Sequence, residues 1–404
     1  MSRRCGRSCG SRSASATRCS PRPSAAWRAW GTDRVRILVV AAPLVGHLLP
    51  MLPMARTLAE LGHEVVVASG GDALGRDLGG LPAVDVAQDV SFARSAARTV
   101  LAHPRLARRE LAGEAGTDVV GLLFGAVNEG LADAVVAVAG AFEPEVVVHE
   151  PLAPAGALAA ARIGVPAVLQ ENSLYDGPSL VAAVVRSPLF RRALRRHGLL
   201  DELPPPADVL TIAPPSVVGV RGGRPMRSVP DDGAGLPDWL TEPTARPRIL
   251  VSRSTVAGPG GDPMAAVVAA APDVDAEIVL VRPTDRLSRK SLPPNVRTVG
   301  WVPLSAALPH AAAVVHHGGA GTVLTALATG TPQLVVPGPG DRRHNADLVA
   351  RRGAGLSVAA RSITAASLSR LVTDTALHDA AREVRAEIAA MPDPAEALRA
   401  CEWQ

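Results

Sequence analysis

Short unbroken runs of apolar residues, each closed by a turn and followed by a helix-length segment, constrain this chain more than any other feature. The stretch "VRILVVAAPLVGHLLPMLPMARTLAELGHEVVVAS" shows the unit in full. Residues 35–41 are apolar at consecutive positions, which demands a strand buried on both faces. A Gly46-His47 turn follows. Leu52, Ala55, Leu58, Ala59 and Gly62 then fall on one side of a helix, and "EVVVAS" is the next strand. Two such strands with a crossover helix form a β-α-β unit, and the absence of alternation predicts a parallel, doubly wound sheet. The unit recurs: "EPEVVVHEP" (143–151) ends in His149-Glu150 and leads through "APAGALAAARIG" to "PAVLQE".

A chain of 404 residues exceeds one ordinary core. Between residues 204 and 247 Pro, Gly and acids crowd together and periodicity is lost, so an interdomain linker is placed at 225–246. A second series follows in "RILVSRSTV" (248–256), "AEIVLVRP" (276–283), "VRTVGWVP" (296–303), "AAVVHHGG" (312–319) and "PQLVVPGP" (332–339). The expectation is α/β, with two Rossmann-like parallel-sheet domains, 35–224 and 247–388, facing across a cleft at their carboxyl edges. Residues 389–404 are expected to cross back to the first domain.

Charge argues against a nucleic-acid partner. Residues 1–34 carry eight arginines against Asp33, a net of +7, while the whole chain carries +4, so the body is about −3. The basic pI is a property of that tail, which reads as disordered or as an over-long start; it lacks the apolar core of a secretory signal. Cys5, Cys9 and Cys19 lie there and Cys401 near the other end, so the body holds no disulfide or zinc framework. No apolar run reaches the roughly 18 residues a membrane span needs. A cytoplasmic protein without stable membrane insertion is expected.

The chemistry concentrates in "VVHHGGAGTVLTALATGTPQLVVPGPGDRRHNA", residues 314–346. A strand enters a glycine turn and a helix starts near Thr322, so bare main chain and free N–H groups can receive a phosphate; no lysine follows, which excludes a Walker loop. The alternative is a tight turn whose glycines only permit packing. Asp341 returns to the same sheet edge, where a carboxylate can bind a polyol or simply face solvent. Trp301 ends another strand and can stack on a base or sit half-buried in the core. In the first domain Gly46-His47 and Glu150 end strands that would be adjacent, a pairing that raises imidazole basicity. Asp273 and Asp275 spell a DxD, but before a strand, away from the cleft.

These motifs resemble the GT-B fold, family 1 nucleotide-sugar glycosyltransferases, especially the actinobacterial enzymes that decorate antibiotics and other polyketides. The resemblance covers residues 35–392 and rests on "GHLLPMLPMARTLAELGHEV" and "GWVPLSAALPHAAAVVHHGGAGTVLTALATGTPQLVVPGPGDRRHNA". It implies that His47 is the general base on the acceptor hydroxyl, oriented by Glu150. It implies that His317 holds the diphosphate beside Gly319, Gly321 and Thr322, that Trp301 and Val302 receive the base, that Asp341 holds sugar hydroxyls, and that Thr255 belongs to a phosphate-side turn. Three departures stand out: Arg342 replaces the expected glutamine, Thr325 stands where a glutamate grips the ribose diol, and Arg253-Ser254 replace an apolar-Gly pair. A threonine cannot clamp two hydroxyls, so a dTDP-sugar is favoured over a UDP-sugar. The reaction implied is inverting transfer to a hydroxyl of a large apolar aglycone, without cofactor or metal; a homodimer is compatible with it. The rival readings are a sugar-nucleotide epimerase, a transferase to a lipid-linked acceptor, and a sugar-nucleotide-binding helper with a degraded site.

Overall fold

A computed structural model describes residues 34–230, 235–254, 263–289 and 291–399. Residues 1–33 of the basic tail, with Cys5, Cys9 and Cys19, and Thr255 and Cys401 lie outside the described residues. The first domain contributes strands β1 (Arg36–Val40), β2 (Glu64–Ser69), β3 (Ala83–Asp85), β4 (Val146–His149), β5 (Ala167–Gln170), β6 (Asp208–Thr211) and β7 (Arg224–Pro225). The second contributes β8 (Arg248–Ser252), β9 (Glu277–Val281), β10 (Val296–Val299), β11 (Ala313–His316), β12 (Gln333–Val335) and β13 (Gly355–Ser357). They form a seven-stranded sheet, ordered β3-β2-β1-β4-β5-β6-β7, and a six-stranded sheet, ordered β10-β9-β8-β11-β12-β13. Every pairing is parallel. The order reverses between β1 and β4 in one sheet and between β8 and β11 in the other, and such reversals open the crevice in which doubly wound sheets bind ligands.

The apolar runs are buried as their lack of alternation requires: Ile37, Leu38, Val39 and Val40 have no exposed surface. Helix Asp118–Phe142 lies across the first sheet's helical layer. It is long and apolar enough by composition to cross a membrane, although no uninterrupted apolar run announced it. Here it is a core helix: Phe124, Val127, Leu131, Ala132, Val135 and Ala139 are buried against helices Ala155–Ile163 and Gly177–Val185. Gly121 makes the close crossing necessary, since a Cβ there would come within 2.5 Å of the Ala183 carbonyl. Its charged side turns outward, where Glu129 and Asp133 pair with Arg196.

The described parts of the proline-rich stretch 204–247 hold more secondary structure than their composition suggests. "DVLT" supplies β6, and β7 is paired to it through Leu210–Arg224 and Thr211–Pro225. Short edge strands such as these carry too few residues for a periodic signal. Asp273 and Asp275 fall before β9, with Asp275 paired to Arg246 at 3.1 Å, so the DxD is a surface turn.

Helix Pro394–Arg399 packs on helix Leu52–Glu60 of the first domain, with Ala397 and Leu398 buried in the same apolar cluster as Met54 and Leu58. The Arg227 main-chain N–H donates to the Pro392 carbonyl at 2.7 Å just ahead of it. At the cleft itself Tyr175 stacks on His344 of the second domain, ring centroids 4.1 Å apart and 16° from parallel. Arg221 holds the tyrosine loop by donating to the Tyr175 and Leu174 carbonyls, and the Gly340 N–H donates to Glu110.

Candidate active site

Register builds the first half of the site. Val40 of β1 is level with His149 of β4, so the residue after each strand emerges at the same edge. Glu150 is fully buried there. Its Oε1 accepts from the Ala42 N–H at 3.2 Å and faces His47 Nδ1 at 3.1 Å; its Oε2 accepts from the Leu152 N–H at 2.7 Å and Asn172 Nδ2 at 3.1 Å. Four donors converge, an arrangement a carboxylate accepts in full. Nδ1 of His47 therefore carries the proton, and the Nε2 lone pair is left free. The imidazole side chain retains 20% exposure. Burial alone would lower its pKa; the charge and hydrogen bond of Glu150, with the charge of Asp341 from the opposite domain, outweigh burial and raise it above the ordinary value. The Phe124 ring lies 5.2 Å from the His47 ring, and Phe92 lies 5.7 Å from Phe124.

The second half stands on β11. Buried His316 faces Gln333 Oε1 through Nε2 at 2.9 Å, and its Nδ1 accepts from the Gly318 N–H at 3.1 Å. Burial pushes its pKa to about 4, so it is a neutral brace for the turn. Gly318 adopts φ +86°, a conformation that disfavours side chains. Helix Ala320–Thr329 starts immediately after Gly319. The N–H groups of its first turn have no intrahelical partners, and a Cβ on Gly321 would meet no other part of the described chain within 4 Å. Thr322 lies in that first turn. His317 curls over Gly319, its Nε2 2.6 Å from where a Cβ would sit. Burial, then the charges of His316, Arg342 and Arg282, depress its pKa to about 3, so His317 is neutral and offers a hydrogen bond rather than a charge. Its Nδ1 is buried without a hydrogen-bond partner.

Asp341 opens helix Arg342–Arg352. Asn345 Nδ2 donates to Asp341 Oδ2 at 2.9 Å and to the Gly318 carbonyl at 2.8 Å, fastening this helix to the glycine turn. Burial raises the Asp341 pKa, against the opposing effects of Asn345, His47 and Arg342. Arg342 Nη2 donates to Ser254 Oγ at 3.2 Å. Trp301 is 53% exposed, whereas Val302 is buried in the core, so only Val302's main chain can serve a ligand. The guanidinium of Arg282 lies 4.9 Å from the Trp301 ring centroid, and that of Arg76, from the first domain, 5.8 Å. Thr325 turns its hydroxyl onto the Gly321 carbonyl at 2.7 Å, back along its own helix.

Two profiles match the chain, the erythromycin biosynthesis protein CIII-like N-terminal domain over residues 56–254 and its C-terminal companion over 265–403. The chain belongs to this family. It is a GT-B, family 1 glycosyltransferase of the actinobacterial antibiotic type. The elloramycin glycosyltransferase ElmGT of Streptomyces olivaceus is 35% identical over 90% of this chain and 95% of its own length. Among solved structures, the glycosyltransferase SnogD from Streptomyces nogalater is 35% identical, covers 91% of this chain and 98% of its own, and superposes with a TM-score of 0.74. SsfS6 from Streptomyces sp. SF2575, solved with thymidine diphosphate, is 28% identical, covers 92% and 100%, and has a TM-score of 0.76.

Within this CIII-like architecture His47, Glu150 and Asp341 converge on one cleft edge, and His317, Gly319, Gly321, Thr322 and Arg342 gather around the glycine turn. Asn172, Asn345, Arg282 and Arg76 escaped the sequence reading. Asn172 follows Gln170-Glu171 at the carboxyl end of β5, and Arg282 immediately follows β9, so position at that edge was the available signal. Among the described residues no cluster of three or more His, Cys, Asp or Glu side chains forms a metal site.

Proposed function

We propose that this glycosyltransferase moves a sugar from a dTDP-sugar to a hydroxyl of a large apolar aglycone, with inversion and without a metal ion. The observation that carries the reading is His47, its Nδ1 proton held by Glu150 and its ring close enough to Asp341 to feel that charge across the cleft. The free Nε2 takes the proton of the acceptor hydroxyl. The oxygen attacks the anomeric carbon, the bond to the diphosphate breaks on the opposite face, and the leaving charge grows beside the first turn of helix Ala320–Thr329 and His317. Donors aimed at developing charge contribute about 2.7–4 kcal/mol each, enough to stand in for a cation. The acceptor reading is supported by the apolar surroundings of His47, whose ring lies 5.2 Å from that of Phe124, itself 5.7 Å from Phe92. The donor reading is supported by Thr325, whose hydroxyl is spent within its helix, and by the thymidine diphosphate bound to SsfS6.

The test pairs matched dTDP- and UDP-sugars with hydroxylated polyketide aglycones in a chelator, and the product's anomeric configuration is read by NMR. Faster transfer from dTDP, inversion and indifference to the chelator are expected; a UDP preference, retention or a magnesium requirement overturns the corresponding part. His47→Ala should lose about 10²–10⁴-fold in transfer while its affinity for dTDP stays unchanged. Turnover of donor without acceptor would mark an epimerase instead.

A further inference from the structure

Three arginines interlock at the carboxyl edge of the second sheet. Arg253 Nε donates to the Arg282 carbonyl at 2.7 Å, Arg282 Nη2 to the Ser254 carbonyl at 3.4 Å, and Arg342 Nη2 to the Ser254 hydroxyl at 3.2 Å. The segments joined follow β8, β9 and β12, the first and third flanking the glycine turn that follows β11. Two arginines elsewhere show the usual pairing: buried Arg248 with Glu277 at 2.7 Å and half-buried Arg224 with Asp208 at 2.9 Å. Arg253, Arg282 and Arg342 form no ion pair among the described residues. The carboxylate whose charge reaches Arg342, Asp341, already has one oxygen engaged by Asn345.

Arg282 adds a second anomaly. It holds φ +53°, uncommon for a non-glycine residue, and is kept there while its carbonyl accepts from Arg253 and its guanidinium reaches the Ser254 carbonyl. Burial, then the charges of Arg253 and Arg76, oppose its own charge. A third is the unpartnered, buried Nδ1 of neutral His317 beside the cluster. Gathered cations without an ion pair among the described residues, next to a helix start and a glycine turn, describe an anion site whose anion completes it.

We propose that Arg282 and Arg342 are the ionic ligands of the donor's diphosphate, that Arg253 positions Arg282 through its carbonyl, and that His317 serves as a neutral hydrogen-bonding partner. This rests on the nucleotide-sugar reading and assigns its charge recognition to guanidinium groups. The cluster joins segments after three strands, so the anion would also fix the relative positions of those loops.

Calorimetric titration of the full chain with dTDP, UDP, dTMP and thymidine, at low and at high sodium chloride, tests it. The variants are Arg282→Gly, which tolerates the positive φ, and Arg342→Gln, with Arg342→Lys as the charge-retaining control. Each charge-removing variant should bind dTDP roughly tenfold or more weakly. Each should show a shallower salt dependence and lose far less affinity for thymidine than for dTDP, the residual thymidine effect in Arg282→Gly reflecting its contact with Trp301, and Arg342→Lys should recover part of the loss. Equal losses for dTDP and thymidine would make the arginines structural and overturn the assignment, as would unchanged dTDP binding in both variants. A wild-type chain that bound neither dTDP nor UDP would remove the donor reading itself, a result distinct from tight wild-type binding with unaffected variants.

Discussion

Glu150 shows how much one buried carboxylate can decide. Its four donors lock the tautomer of His47, and its charge overcomes the burial that would otherwise lower the imidazole's pKa. Neutral His47 is the active form of a base, so transfer should rise with pH through a midpoint above the ordinary imidazole value. In Glu150→Gln burial acts with less opposition. The acid limb of the pH–rate profile should then move to lower pH, and kcat should fall by roughly tenfold to a hundredfold as the base weakens and its orientation loosens. A profile that kept its midpoint would separate Glu150 from the base. Asn172 belongs to the same unit, because it donates to the carboxylate oxygen that His47 does not use. Nothing in the sequence pairs residue 172 with residue 150; the parallel registers of β4 and β5 do.

At the scale of elements, the turn after β11 is built from neighbours that cooperate. His316 ties β11 to Gln333 at the start of β12 and receives the Gly318 N–H, while Asn345 binds the Gly318 carbonyl from the next helix. The first histidine of the pair is thus a brace, and the second faces the site. Bracing has a pH signature. The folded chain keeps His316 neutral down to about 4, whereas an unperturbed imidazole titrates at 6.5. The contribution to stability is complete above 6.5 and is lost as pH falls from there toward 4, because the unfolded chain takes up a proton that the fold refuses. One such histidine steepens the loss by about 1.4 kcal/mol per pH unit. Urea denaturation of the wild type and of His316→Gln across this window should show the shallower slope in the variant; parallel slopes would count against a buried neutral His316.

The whole molecule is a pair of sheets whose switch points face each other. Tyr175 on His344, Glu110 on Gly340 and the seating of helix Pro394–Arg399 on helix Leu52–Glu60 hold them in place. Two of these contacts touch the segment that carries Asp341 and Arg342, so the contacts that join the two domains also border the site. Leu398 is a buried anchor of the returning helix. Truncating a buried leucine to alanine costs about 2–5 kcal/mol. Leu398→Ala should therefore lower the unfolding free energy read from urea denaturation by that amount, while affinity for thymidine diphosphate, which the proposal assigns to the second domain, changes little. A comparable loss of affinity would show that the crossover also shapes the donor site.

The sequence by itself determined the architecture, because strands buried on both faces must be apolar at every position and glycine turns must stand where main chain approaches a ligand. "RILVV", "EVVVAS" and "AVVH" admitted one kind of sheet, and the glycine turn with its following helix admitted an anion. Edge strands such as β7 were illegible, since two residues carry no period. Contacts between segments far apart in sequence were illegible too. Only the tertiary structure brought Asn172 to Glu150, Asp341 to His47 and three arginines around Ser254, because adjacency there follows from strand order and domain closure rather than from spacing along the chain. The resemblance already pointed to His317 for the diphosphate, and the structure added that His316 is held between Gln333 and the Gly318 N–H.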